Sequence, residues 1–196
     1  MAKRYLYLVR HGQYNPDELA TDNLGSSLSK LGKQQAKITA KALSDHPIAT
    51  IHFSTLRRAA ETAEPFFEAF PVAKHQRSQR LWEAIPCVPT RHSEQFERFL
   101  PETLVREQER AEGAFQFHFK ATRGEDKHEV LISHGNLIRY FVCCTLGVSP
   151  AAWLNMECHN CGITRIVIEE SGTHTLVSYN DIGHLPAKMR TDNFFI

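Results

Sequence analysis

Three short apolar runs set the frame of this chain: Tyr5-Leu6-Tyr7-Leu8-Val9, residues 50–53, and Val130-Leu131-Ile132 closed by Ser133. Continuous apolar runs of this length are what strands buried on both faces require. Helical periodicity fills the intervals between them. Ser29 is placed to cap a helix starting at Lys30, with Leu31, Ile38 and Ala42 near helical spacing and Pro47 stopping it by residue 46. A second helix is expected from Ser54 through Arg57, Arg58 and Thr62, with a kink or stop at Pro65. Residues 70–93 predict loop with a brief strand near Leu81. Residues 95–121 predict mostly helix, interrupted at Pro101, with Ala111, Phe115 and Phe119 as a core stripe. A helix over 137–146 follows the third run at once, and Gly147 ends it. Residues 163–168 and 175–179 alternate like strands about a turn at Ser171-Gly172. The polar stretch 13–27, with Pro16 and Gly25, predicts a long loop. The chain after Pro186 is polar, then aromatic at Phe194-Phe195. Strands alternating with helices, without repeat or linker, predict one domain over residues 1–196. Its class is α/β, with three α/β/α layers and a mostly parallel central sheet.

Composition narrows the function more than the fold. A chain of 196 residues supports one full core and is short for two. The formal net charge of +1 provides no global field for nucleic acid or anionic membrane, so neither is an expected partner. No apolar window is long enough to span a bilayer, and Met1-Ala2-Lys3-Arg4 runs directly into the first strand without a signal-peptide pattern. Five cysteines, an odd number without framework spacing, argue for a reducing compartment, and the expected location is cytoplasmic. The cluster Cys158-His159-Asn160-Cys161 lacks the second ligand pair that a structural zinc site uses. It is expected to lead simply into the strand at Ile163, and neither metal nor cofactor is expected.

The candidate chemistry sits where two of the apolar runs stop. Arg10-His11-Gly12 follows the first run and His134-Gly135 the third. Ligands of open α/β sheets bind beyond the carboxyl ends of strands, so these residues can converge on one pocket. A cationic pocket containing imidazole suits a phosphate ester. A neutral histidine can attack phosphorus and hold the phosphoryl group until water removes it. The equatorial oxygens then need cations, which Arg10 and Arg58 supply as planar forks. His134, if protonated, adds a donor, and the helix over 137–146 that follows His134-Gly135 points its N-terminal amides at the same anion. Release of an alkoxide needs a proton. Glu83, in Leu81-Trp82-Glu83-Ala84-Ile85, is the candidate acid, with Trp82 and Ile85 providing a drier setting.

These blocks resemble the histidine phosphatase superfamily, whose fold is phosphoglycerate mutase-like. Leu8-Val9-Arg10-His11-Gly12 is similar to its signature, and Leu28-Ser29-Lys30-Leu31-Gly32 with Gln35-Ala36 to its first-helix pattern. Ser54-Thr55-Leu56-Arg57-Arg58-Ala59-Ala60-Glu61-Thr62-Ala63 is similar to its arginine block, Leu81-Trp82-Glu83 to its acid segment, and Ser133-His134-Gly135 to its second histidine. The resemblance makes His11 the nucleophile and selects Arg58 over Arg57 as the second phosphate arginine. It implies a metal-independent phosphomonoester hydrolase with a phosphohistidine intermediate and no cofactor. Within the superfamily, Arg10-His11-Gly12-Gln13-Tyr14, residues 134–140 and residues 181–186 resemble the mitochondrial serine/threonine phosphatase branch. That branch's membrane anchor and its aspartate/tryptophan-rich segment do not appear, so its location and assemblies are not carried over. The expected substrate is a phosphoprotein. The alternatives are a small-molecule phosphatase or mutase, and a phosphate-recognising binding protein with weak turnover. A homo-oligomer is left open.

Overall fold

In the computed structural model, residues 1–15 and 22–191 are described, without the side chain of His92. Pro16 of the expected loop and the Phe194-Phe195 pair lie outside the described residues. The order of elements is β1 (Lys3–Arg10), α1 (Lys30–Ala42), β2 (Ile48–Ser54), α2 (Arg57–Ala69), β3 (Lys74–Ser78), α3 (Pro101–His118), β4 (Lys127–Ser133), α4 (Gly135–Leu146), β5 (Ile163–Glu169) and β6 (His174–Asp181). The six strands form one sheet in the order β3-β2-β4-β1-β5-β6. Strands β1 to β4 run parallel, and β5 is antiparallel to both β1 and β6.

Alternation along β1 divides the core into two. Leu6 and Leu8 pack with Leu131, Ala111, Ala114 and Phe141, which places α3 and α4 on one face. Tyr7 and Val9 pack with Ile51, Val130, Ala59, Ala63 and Phe66, which places α2 on the other. Both faces of β1 and β4 are therefore covered, and the apolar runs that looked continuous in sequence are buried on both sides. Complete burial of Phe66 and Phe141 is worth roughly 1.5–3 kcal/mol for each ring.

Several local expectations are corrected. Helix α1 is capped by Ser29, whose hydroxyl accepts from the Gly32 amide, but its buried face is Gly32, Gln35, Ala36, Thr39 and Ala40, not Leu31, Ile38 and Ala42. Small side chains are needed there because the helix lies on the loop after β1. A Cβ on Gly32 would stand 1.9 Å from the Gln13 carbonyl oxygen, and one on Gly12 would stand 2.6 Å from the Gly32 oxygen. The second helix starts at Arg57, not Ser54, which closes β2. Pro65 neither stops nor ends α2, because Phe66 and Phe70 beyond it are anchored in the core. The strand expected near Leu81 lies earlier, as β3, and Leu81 itself closes a 3-10 turn. Pro101 does not interrupt a helix but begins α3, in the first turn where a missing N–H costs nothing.

Candidate active site

Three adjacent parallel strands stop at one level. Arg10 pairs with Ser133 across β1 and β4, and Phe53 with Ile132 across β2 and β4. The residues that follow, His11 and His134, therefore emerge side by side from neighbouring strands. Their ring centroids are 5.1 Å apart, close to the spacing of the strands themselves. Arg58 enters from the first turn of α2 beyond β2. Glu83 enters from the segment after β3, where the Ser133 hydroxyl donates to the Leu81 carbonyl at 2.8 Å.

The backbone of the first loop is held at almost every polar group. The His11 amide donates to the Ser133 carbonyl at 2.9 Å. The Gly12 amide donates to Thr62 Oγ1 at 3.0 Å. The Gln13 amide donates to Gln35 Oε1 at 2.8 Å, and the Gln13 carbonyl accepts from the Ser29 amide at 2.9 Å. Such pinning fixes where the His11 ring can lie.

The tautomer of His11 follows from its partners. Its Nδ1 lies 2.8 Å from the Gly12 carbonyl, which can only accept, so Nδ1 carries the proton. Its Nε2 keeps the lone pair and receives the Arg58 Nε–H at 3.1 Å. Burial, then the Arg58 and Arg10 guanidinium groups, hold the imidazole pKa well below its ordinary value. His11 is therefore neutral at pH 7, with its basic nitrogen between two cations.

His134 is fully buried behind His11 and is not among the side chains lining the cavity. Burial, then Arg58, His11 and Arg10, push its pKa well below the ordinary value, so the condition under which it would donate as an imidazolium is not favoured here. It acts as a neutral ring. Its Nε2 lies 2.8 Å from Ser54 Oγ, and its Nδ1 has no protein partner. Ser54 Oγ also accepts from the Leu56 amide at 3.3 Å and keeps its own proton to give to Nε2. That arrangement leaves Nδ1–H as the free donor.

Arg10 donates from Nη1 to the Cys158 carbonyl, while its Nε is buried without a protein partner. Gly135 makes room for it, since a Cβ there would stand 3.3 Å from Arg10 Nε. Arg57 instead pairs with Asp22 at the surface, which separates the roles of the two adjacent arginines.

Arg10, His11, Arg58, Glu83 and Gly135 line one cavity of about 520 Å³. Burial raises the Glu83 carboxyl pKa, opposed by Arg58 and Arg10. Its segment is clamped by Arg110 of α3, which donates to the carbonyls of Trp82 and Glu83 at 2.8 Å each. Trp82 is half-buried and donates to Thr55 Oγ1 at 2.6 Å. The cavity is also lined by Ile85, Phe96, Phe99, Trp153 and the exposed Arg98. Among the described residues, no group of histidine, cysteine and acidic side chains is arranged to hold a metal.

Sequence reasoning missed four contributors. Tyr14 lies under the Arg58 guanidinium, 5.5 Å from its ring centroid, and its ring meets His11 edge-on at 5.9 Å. Arg110, Thr62 and Asn160 brace the backbone. Tyr14 lies inside the first motif, so its place was available as a signal. Thr62 stands in the arginine block and Asn160 in the Cys158-His159-Asn160-Cys161 cluster, but their partners, like those of Arg110, lie in distant segments, and no local pattern names them.

A family model described as histidine phosphatase superfamily (branch 1) matches residues 6–86 and 76–182. A mitochondrial serine/threonine-protein phosphatase from Caenorhabditis briggsae is 35% identical over 189 residues, and this chain spans 65% of its length. That alignment takes in 94% of the present chain. The Xenopus tropicalis protein of the same description is 35% identical over 192 residues, covering 94% of this chain and 67% of the relative. The fold matches that of phosphoglycerate mutase from Plasmodium falciparum with a TM-score of 0.66, at 27% identity over 100% of both chains. The chain belongs to the histidine phosphatase superfamily, branch 1.

Proposed function

We propose that this chain is a metal-independent phosphomonoester hydrolase that passes through a phosphohistidine at His11. One observation carries the reading. Beside a neutral imidazole with its lone pair fixed on Nε2 lie two buried groups, Arg10 Nε and His134 Nδ1, for which the protein supplies no partner. Buried donors left unpaired are costly unless a ligand satisfies them. An oxyanion gripped by Arg10, Arg58 and His134, with the Gly135 amide at the start of α4 beside it, is the ligand that this set fits.

The reaction then balances as two displacements. The Nε2 lone pair of His11 attacks phosphorus, and the bond from phosphorus to the ester oxygen breaks. Glu83, whose pKa burial raises against the pull of Arg58 and Arg10, gives its proton to the leaving oxygen when it is in its acid form. The Glu83 carboxylate next takes a proton from water, whose oxygen attacks the phosphohistidine. Inorganic phosphate leaves, and His11 and Glu83 return to their starting states. The Arg58 Nε–H, which donates to the His11 lone pair in the free protein, keeps its proton and donates instead to a phosphate oxygen when substrate binds.

A phosphoprotein carrying phosphoserine or phosphothreonine is the substrate we favour. It is supported by the serine/threonine-protein phosphatases that share about a third of its residues. A small phosphate monoester with an apolar body is the second reading, supported by the cavity walls Ile85, Phe96, Phe99 and Trp153. The cavity, about 520 Å³, lies within the size range of pockets that hold small ligands, roughly 300–1,000 Å³. A reducing compartment, the cytosol, belongs to the same proposal and is supported by five cysteines that are all free. No helix among the described residues is long and apolar enough to cross a membrane. The deciding experiment is a panel of phosphopeptides, sugar phosphates, phosphoglycerates and an aryl phosphate, run on the wild type and on His11→Ala. Turnover that vanadate blocks, EDTA spares and His11→Ala abolishes supports the reading. Turnover that survives His11→Ala overturns it.

A further inference from the structure

The segment Cys158-His159-Asn160-Cys161-Gly162 wraps the end of β1 more closely than an ordinary lead-in to β5 requires. The Cys161 amide donates to the Arg10 carbonyl at 3.0 Å, and the Arg10 amide donates to the Gly162 carbonyl at 3.3 Å. The Cys158 carbonyl accepts from the Arg10 guanidinium. The Asn160 side chain, 2% exposed, donates from Nδ2 to the His11 carbonyl at 2.9 Å. Cys161 adopts a left-handed backbone conformation, φ 57°, which a residue with a Cβ seldom takes. Strain of this kind persists where the surroundings over-determine it, as four hydrogen bonds to residues 10 and 11 do here.

The Asn160 amide is itself oriented. The His11 carbonyl can only accept, so the atom facing it is the NH2 group. The opposite Oδ1 accepts the Thr191 hydroxyl at 2.8 Å. Nearby, Gln35 accepts the Gln13 amide and donates to the Met189 carbonyl at 2.7 Å. The segment after β6 thus reaches the loop of residues 11–13 through two side chains.

We propose that Asn160 is a positioning residue for the His11 nucleophile, and that Thr191, by orienting the Asn160 amide, couples the segment after β6 to that nucleophile. The inference rests on the reading of His11 as nucleophile. An imidazole must approach phosphorus in line, and a displacement of about 1 Å at the reacting atom costs on the order of 100-fold. Loss of the Asn160 amide frees the His11 carbonyl and lets the ring tilt away from the Arg10 and Arg58 guanidinium groups.

The test uses the full chain and four variants, Asn160→Ala, Thr191→Val, Thr191→Ser and His11→Ala, with an aryl phosphate as the probe. Asn160→Ala is expected to lower kcat roughly 10- to 100-fold while KM changes less than about twofold. The acid limb of its pH–rate profile is expected to move upward, because a displaced imidazole leaves the two cations that keep it unprotonated. Thr191→Val is expected to lower kcat by roughly 2- to 10-fold, the effect of one neutral hydrogen bond, and Thr191→Ser to restore it. A folded Asn160→Ala with wild-type kcat and pH profile overturns the proposal. If Asn160→Ala does not fold, Thr191→Val decides, and equal rates for Thr191→Val and the wild type overturn the coupling. His11→Ala separates this failure from the failure of the functional reading. Turnover in that variant refutes the nucleophile, whereas its loss beside an unaffected Asn160→Ala refutes only the positioning.

Discussion

Glu83→Gln isolates the proton donor without changing the shape of the site. The amide fills the same volume, so the clamp of Arg110 on the carbonyls of residues 82 and 83 is untouched. What disappears is one transferable proton. General acid help of this kind is worth about 10²–10⁴ in rate, or about 3–5 kcal/mol of barrier. The loss depends on the leaving group. A serine alkoxide leaves poorly without a proton, so a phosphoserine peptide is expected to show most of that range. A nitrophenolate leaves readily, so the aryl phosphate is expected to lose less than about tenfold. The pH profile supplies a second sign. His11, whose pKa is lowered, must be neutral, so activity falls only toward acid. Glu83, whose pKa is raised, must be protonated, so activity falls as pH rises through its shifted value. In Glu83→Gln the alkaline limb is expected to vanish from kcat/KM while the acid limb stays. Ionisation of the substrate's own phosphate is common to both enzymes and cancels in their ratio. Steady-state kinetics with the two substrates from pH 5 to 9 makes the comparison. Equal losses on both substrates, or an alkaline limb that survives, would refute Glu83 as the acid.

Other outcomes follow from the packing and the charges. Gly32→Ala puts a methyl group 1.9 Å from the Gln13 carbonyl, so it is expected to destabilise by roughly 1–3 kcal/mol in urea unfolding and to lower kcat by displacing the loop of His11. His118 is buried with neither ring nitrogen bonded, and its pKa is lowered to about 3 by burial, then by His52 and Arg4. The unfolded chain therefore binds more protons between pH 6.5 and 3, and stability falls as pH drops through that window. His118→Leu is expected to flatten that fall, visible as a smaller loss of denaturation midpoint between pH 7 and pH 5; an unchanged slope would show that His118 does not drive it. Arg98→Ala is expected to raise KM several-fold for leaving groups carrying a second anion and to leave the aryl phosphate unaffected. The basis is that Arg98 is exposed on the cavity and no ion pair engages it among the described residues.

The parts of this molecule that could be read in the sequence are those written locally. Arg10-His11-Gly12 and Ser133-His134-Gly135 declare a buried strand and the turn that ends it within a few residues, and the register of β1 on β4 brings them together. Gly147 declared the end of α4 because its φ of 64° suits a residue without a side chain. Strand β3 lies before the position near Leu81 expected for it because it pairs only with β2 and four of its five residues are exposed, leaving no apolar pattern to mark its bounds. The face of α1 was misjudged for a related reason. Its inward residues are small or polar, chosen for close approach rather than for apolar area. Pro65 gave a true local signal that tertiary packing of Phe66 overrode. The charge of His134 stayed a condition in the sequence because burial and neighbouring cations are properties of the assembled site. Asn160 and Arg110 act across more than a hundred and about thirty residues of chain respectively, and no spacing rule reaches that far.

The most direct measurement is a rapid-quench reaction with a labelled phosphate ester, followed by mapping of the labelled peptide. Label on the His11 peptide, lost in acid and retained in base as a phosphoramidate is, is the predicted result. A burst of product without label on residue 11, or label on another side chain, would contradict it.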